Sequence, residues 1–143
     1  MMERALGLDA GDRTIGVAVS DLLGLTAQGV ETIRRTTLEK DIARLQELMS
    51  QYETKTLIMG YPKNMNGTEG PRCEFVKELA EEIKKAEPET EIVFWDERLS
   101  TVAASRSLIE ADISRKKRKK VIDKMAAVFI LQGWLDSKSL STI

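Results

Sequence analysis

The sequence has no histidine and a single cysteine, Cys73, among 143 residues. Without histidine, Ser–His and Cys–His nucleophile pairs, HExxH zinc sites and imidazole general bases are excluded. One cysteine permits neither an intrachain disulfide nor a cysteine zinc cluster. Long apolar runs are missing as well: the longest lies near residues 128–131, far short of the ~20 residues that span a bilayer. The N-terminus, Met1-Met2-Glu3-Arg4 followed by a short apolar stretch broken by Asp9, lacks the apolar core and cleavage site of a signal peptide. A soluble cytoplasmic protein without membrane association is expected. An excess of one charge is absent too, with 22 basic and 23 acidic residues and a net charge of −1. That excludes a uniformly basic nucleic-acid coat and an acidic solvating tail. Catalysis in such a chain must use carboxylates, lysines, tyrosines, hydroxyls or a hard metal on oxygen ligands.

A length of 143 residues predicts one domain, spanning 1–143, with a single buried core. No repeat, low-complexity tract or linker divides it. Arg4-Ala5-Leu6-Gly7-Leu8-Asp9 reads as a strand ending in a carboxylate. Gly11 and Asp12 mark a turn, and Ile15-Gly16-Val17-Ala18-Val19-Ser20 reads as a second strand. A turn over 21–24 leads to a weaker third strand over 29–34, and the short connections predict an antiparallel meander. Leu38, Ile42, Leu45, Leu48 and Met49 recur at helical spacing, predicting a helix from Thr37 to about Tyr52. Thr56-Leu57-Ile58-Met59-Gly60 reads as a buried strand. After a loop over 61–71, a helix is expected over 74–86 and a strand over 91–95. Ser100 or Thr101 can cap a further helix to about Ile109. A last helix is expected over 121–135. Strands alternating with helices imply parallel pairing and right-handed crossovers. The expected fold is an α/β mixed sheet of five strands, an antiparallel meander plus parallel strands, flanked by helices.

Three acidic positions stand out. Asp9 ends an apolar strand beside a glycine turn, which suits a metal ligand and equally an ordinary β-turn. Asp96-Glu97-Arg98 follows another apolar strand; there the acids fit either a site or the N-terminus of the next helix, with Arg98 in a salt bridge. Asp123 falls in the first turn of the expected last helix. Ala126, Ala127, Ile130 and Trp134 share its face, so its carboxylate is expected toward the sheet, with dipole complementation as the alternative. Oxygen-only ligands suit Mg²⁺ or Mn²⁺. Two such ions about 3.5–4 Å apart activate a water and stabilise the leaving oxygen in phosphodiester hydrolysis.

Arg115-Lys116-Lys117-Arg118-Lys119-Lys120 concentrates six cations just before Asp123. The other 16 basic residues face 23 acidic ones, a balance of −7. A polyanion is drawn to such a run in a salt-dependent way, unless it is a solvated loop. The loop over 61–72 adds Lys63, Arg72 and free amides that suit a phosphate, although GK[ST] is absent. Trp95 and Trp134 are read as core residues and Cys73 as structural.

In combination, Leu8-Asp9-Ala10-Gly11…Ile15-Gly16-Val17-Ala18, Gly60-Tyr61-Pro62…Asn66-Gly67, Asp96-Glu97-Arg98-Leu99-Ser100-Thr101 and Asp123…Ala126-Ala127…Ile130-Leu131-Gln132 resemble the YqgF/RuvX family. The match covers nearly the whole chain in order. The family is bacterial and ribonuclease H-like, described both as Holliday junction resolvases and as pre-16S rRNA nucleases. The resemblance implies a ribonuclease H-like fold and a metal-dependent nuclease, with Asp9, Glu97 and Asp123 as catalytic residues and Mg²⁺ or Mn²⁺ ligands. Asp96 is the competing neighbour of Glu97. Related resolvases carry an acid on the strand after the first helix, where this chain has Ile58-Met59-Gly60, so the second acid must come from the later strand. Thr14 stands where many members have arginine, with Arg13 beside it.

The implied function is endonuclease action on structured nucleic acid, with 5′-end processing of pre-16S rRNA favoured over branched DNA. Arg13, Lys63, Arg72, Arg98 and the run 115–120 are the candidate nucleic-acid contacts. A non-catalytic nucleic-acid-binding factor would keep the basic run without needing the acids. An ATPase of the actin and sugar-kinase class shares an Asp-x-Gly turn but needs two such domains. No dimerisation stripe is evident, which leaves monomer and homodimer open.

Overall fold

The structure is a computed structural model that describes residues 4–62, 66–96 and 115–141, without the side chains of 115–124 and 139–141. Five strands, β1 (Ala5–Ala10), β2 (Thr14–Ser20), β3 (Ala27–Arg34), β4 (Thr56–Tyr61) and β5 (Glu91–Asp96), form one mixed sheet in the order β3-β2-β1-β4-β5. The meander is antiparallel, and β1 pairs in parallel with β4, as β4 does with β5. Helices α1 (Leu38–Gln51), α2 (Pro71–Ala86) and α3 (Arg115–Ser141) accompany the sheet. Among the described residues no helix is long and apolar enough to cross a membrane.

Local chemistry explains the boundaries. Thr37 caps α1 by accepting from the Lys40 amide at 3.2 Å, and Asp41 accepts from Thr36 N–H at the same distance. α2 begins at Pro71, a turn before the expected start, because proline's fixed φ suits the first helical position. Asp21 closes the β2–β3 turn. Its carboxylate accepts from Leu25 N–H at 2.7 Å and Thr26 N–H at 3.3 Å, while Gly24 takes a φ of 71°. The Leu25 amide is the main reason that the Asp21 carboxyl titrates below the ordinary carboxylate range.

The last helix departs most from expectation. It begins at Arg115 rather than near Val121, so the basic run is helical backbone and not a loop. Arginine and lysine are good helix formers, and neither glycine nor proline interrupts 115–132. Polarity changes near residue 121, but helical propensity does not. Asp123 therefore lies in the third turn. Dipole complementation, which fades after the first turn, does not explain it.

Side-chain alternation splits the core. Leu6, Leu8, Ala10, Met59 and Tyr61 face the α1/α2 side, with Cys73, Val76 and Leu79. Ala5, Ala18 and Ile58 face α3, with Ala127, Ile130 and Leu131. Cys73 is a fully buried free thiol, and Trp95 and Trp134 pack against the second cluster, as read from the sequence. Gly7 sits where α3 crosses β1. A Cβ there would stand 2.7 Å from Leu131 Cβ and 2.9 Å from the Ala127 carbonyl oxygen. The backbones can approach only because that side chain is absent.

Gly7→Ala is therefore expected to destabilise the fold by about 1–3 kcal/mol through overpacking, read by urea denaturation; a neutral substitution would mean that α3 is not seated on β1. The Asp21 carboxyl stabilises the fold above its unfolded titration range, and this contribution is lost as pH falls through its depressed folded value. An NMR titration should place its midpoint below that of an unfolded aspartate, and a midpoint at the unfolded value would remove the turn as a source of acid sensitivity.

Candidate active site

The site forms where the central strands end. Alternation places Asp9 on the α3 face, in line with Ala5 and Gly7, and it is only 5% exposed. Its partner on β2 is Gly16, and on β4 the residue following Met59 in the parallel register is Gly60. The flanking positions thus carry no side chains to crowd the carboxylate. Beyond Gly60, its partner Trp95 belongs to the α3-facing cluster.

Arg72, near the start of α2, reaches around the sheet end. Its Nη2 lies 3.7 Å from Asp9 Oδ1 and donates to the Ala10 carbonyl at 3.3 Å. A buried carboxylate carries a desolvation cost that a nearby guanidinium offsets. Arg35 organises the adjoining turn. Its Nη1 donates to the Gly11 and Asp12 carbonyls at 2.8 and 2.9 Å, and its guanidinium lies 3.7 Å from the Phe75 ring centroid. Gly11 N–H closes the turn on the Thr14 carbonyl at 2.9 Å. Sequence reasoning missed Arg35, because no local pattern signals a contact across 24 residues. Arg13 is exposed on this same turn.

Helix α3 arrives from above. Gln132 accepts from the Ala27 amide and donates to the Leu25 carbonyl, each at 2.9 Å. Ala27 pairs with Ser20, whose hydroxyl accepts from Ala5 N–H, so Gln132 marks the sheet end where β1 begins. Running backward, the helix heads toward the end that holds Asp9. Asp123 precedes Ala127 by one turn, on the face that Ala127 presents to Gly7.

Asp96 belongs elsewhere. It pairs with Tyr61, on the α1/α2 side, and lines a cleft of about 360 Å³ with Tyr61, Glu69, Lys77 and Phe94. Asp9 and Asp96 thus lie on opposite faces of the sheet. In that cleft the Tyr61 hydroxyl donates to Glu69, and Lys77 pairs with Glu69 at 3.2 Å. Burial, reinforced by Glu69, pushes the Tyr61 hydroxyl above the usual tyrosine range.

Glu97, Arg98, Lys63 and the helix expected to about residue 109 lie outside the described residues. For Asp123 and the cations 115–120 the backbone alone is described. Among the described residues no three ligating side chains gather as a metal cluster. The structure unites Asp9, Arg72 and the Arg13 turn at one sheet end.

The chain is similar to several known proteins. The family model described as "RuvX: Holliday junction resolvase" matches residues 3–137. A Clostridioides difficile protein is 60% identical over 135 residues, covering 94% of this chain and 95% of that protein. A Clostridium tetani protein is 58% identical over 134 residues, covering 94% and 96%. Both are named as candidate pre-16S rRNA nucleases. Thermus thermophilus RuvC, solved in complex with a Holliday junction substrate, superposes with a TM-score of 0.60 at 11% identity, covering 96% of this chain and 98% of RuvC. The fowlpox virus Holliday junction resolvase gives a TM-score of 0.53 at 18% identity, over 96% of this chain and 99% of that one. At such identities the likeness establishes the fold, which is the expected ribonuclease H-like one.

Arg35→Ala is expected to loosen the Gly11–Asp12 turn and lower stability by about 1.5–3 kcal/mol, the range for hydrogen bonds involving a charged group. Chemical denaturation reads this loss, and unchanged stability would show that the turn holds without the arginine. The raised Tyr61 titration favours the protonated hydroxyl, so its contribution to stability is present below the unfolded tyrosine range and lost as pH rises through the folded value. Absorbance titration of wild type against Tyr61→Phe should remove a late tyrosinate step, whereas loss of an ordinary step would contradict the assignment.

Proposed function

Since the chain belongs to the RuvX family, whose model spans residues 3–137, we propose that it is a metal-dependent endonuclease on structured nucleic acid, processing the 5′ end of pre-16S rRNA in the bacterial cytoplasm as one nuclease domain. The observation that carries the reading is the buried Asp9 carboxylate at the end of the central strand, with glycine at its β2 partner position and the third turn of α3 directed to the same end. The substrate follows from the names of relatives 58–60% identical to the chain.

The donor chemistry fits a hard divalent cation: Asp9 offers carboxylate oxygen, and a chain without histidine offers no imidazole. Asp9, Glu97 and Asp123 would hold Mg²⁺ or Mn²⁺. When bound, such a cation lowers the pKa of a water and stabilises developing charge on the leaving oxygen. Arg72 holds Asp9 in place and offsets its charge. The placement of Asp96 on the opposite face favours Glu97 as the acid from this segment, because the next residue of a continued strand would alternate back. The cations 115–120, on the leading turns of α3, attract the polyanion before it reaches the acids. Arg13 lies on the turn beside Asp9; Lys63 and Arg98 complete the proposed contacts.

A second reading is supported by the description of the matching family model: resolution of four-way DNA junctions. Resolution requires two coordinated cuts, hence a symmetric dimer.

Purified protein, labelled pre-16S rRNA fragment and four-way junction, each with Mg²⁺, Mn²⁺ or EDTA, separate the readings. Metal-dependent cleavage of the RNA is expected, with Asp9→Asn and Asp123→Asn each slower by at least about 100-fold, the upper end of what loss of an outer-shell partner costs. Cutting of the junction alone selects the second reading, and salt-sensitive binding without any cutting replaces both with a binding factor. Replacing the run 115–120 by glutamine should flatten the dependence of log affinity on log salt by about 0.7–0.9 for each lost phosphate contact. An unchanged slope would remove the run from the interface.

A further inference from the structure

Phe94 is the one exposed aromatic among the described residues, 46% exposed on β5 while the other six are buried or half-buried. It sits in the sheet row of Leu8 and Met59, on the face opposite Asp9 and two residues before Asp96. Packing against Tyr61 accounts for part of this side chain and leaves nearly half of it to the solvent. We infer that Phe94 is a stacking platform for one unpaired nucleobase of the substrate, a subsite beside the catalytic end of the sheet. The inference rests on the nucleic-acid reading above and deepens it.

The surroundings favour a base over the other parts of a nucleic acid. Tyr61 packs edge-on against Phe94, with centroids 5.4 Å apart and planes at 63°, and Tyr61 is itself buried and bonded through its hydroxyl to Glu69. The ring is thus braced before any ligand arrives, which lowers the entropy lost on stacking. The cleft of about 360 Å³ lies within the range of small-ligand sites, ~300–1,000 Å³. Among the described residues its charged groups are Glu69, Asp96 and Lys77, with Lys77 paired to Glu69. A carboxylate at the rim of such a cleft accepts hydrogen bonds from the N–H groups of a base. Stacking on an aromatic tolerates every base. A base reaches such a platform only if it is unpaired, so the subsite selects single-stranded or junction-proximal nucleotides over continuous duplex.

The test measures binding, in EDTA, of a 12-nucleotide single-stranded RNA carrying one 2-aminopurine and of its fully paired duplex. Full-length wild type, Phe94→Ala and Phe94→Trp are compared, with thermal unfolding as the check on folding. Wild type should quench 2-aminopurine in the single strand. Phe94→Ala should bind the single strand about 5- to 100-fold more weakly, the effect of losing one stacked base, with duplex affinity unchanged. Phe94→Trp should restore both affinity and quenching. The inference is overturned if wild type does not bind the single strand, if Phe94→Ala binds it as wild type does, or if single strand and duplex weaken equally. Cleavage is scored separately with Asp9→Asn. A Phe94 effect in a protein that does not cut would sink the nuclease reading alone, and normal cutting without a Phe94 effect would sink this inference alone.

Discussion

The contact on which the site depends is the close packing of α3 against β1 at Gly7. With no Cβ at that position, the Ala127 carbonyl and the Leu131 side chain settle onto the strand. Strand alternation then gives Asp9 the same face as Gly7, one step further along. Helical periodicity gives Asp123 the same side as Ala127, one turn earlier. Two unrelated periods, 2 and 3.6, bring acids 114 positions apart toward one end of the sheet, and a single glycine sets the distance between their supports. Trp95 and Gly133 repeat the device on the other side of the helix, where the indole lies 3.1 Å from a Cβ built at Gly133.

Electrostatics shape the rest of the sheet end. A carboxylate at 5% exposure survives only with compensation. Arg72 supplies some of it from α2, on the other layer, and so ties the two layers together at the site. Arg35 holds the turn through carbonyls. The surface charge is divided in the same sense. The chain is nearly neutral, yet six of its 22 cations fall in consecutive positions at the start of α3. Under the proposed function, such a concentration of charge guides a polyanion to one place without making the whole protein basic.

Asp96, the last residue of β5, illustrates how sharply a sheet assigns a side chain to one face. Asp96 and Glu97 are adjacent and chemically alike. Asp96 pairs with Tyr61 and lines the cleft with Lys77 and Phe94, while Asp9 faces the helix on the opposite side. A shift of one residue would reverse the assignment, because a one-residue slip turns every side chain to the other face.

The sequence by itself determined the order of the strands and helices among the described residues, the meander, the mixed sheet and the exclusion of histidine, intrachain-disulfide and cysteine-cluster chemistry. These follow from short-range periodicity and composition, which are properties of the chain. It also pointed to Asp9, Glu97 and Asp123 as candidates through a resemblance spanning nearly the whole chain. It misjudged the start of α3, because a change from basic to apolar residues looks like a boundary although helical propensity continues through it. Only the tertiary structure decided the face on which Asp96 lies, the pairing of Arg72 with Asp9, the hold of Arg35 on the Gly11–Asp12 turn and the exposure of Phe94. Each depends on register between strands or on contacts bridging distant positions. Neither is encoded in local spacing, because both are fixed by how whole elements pack.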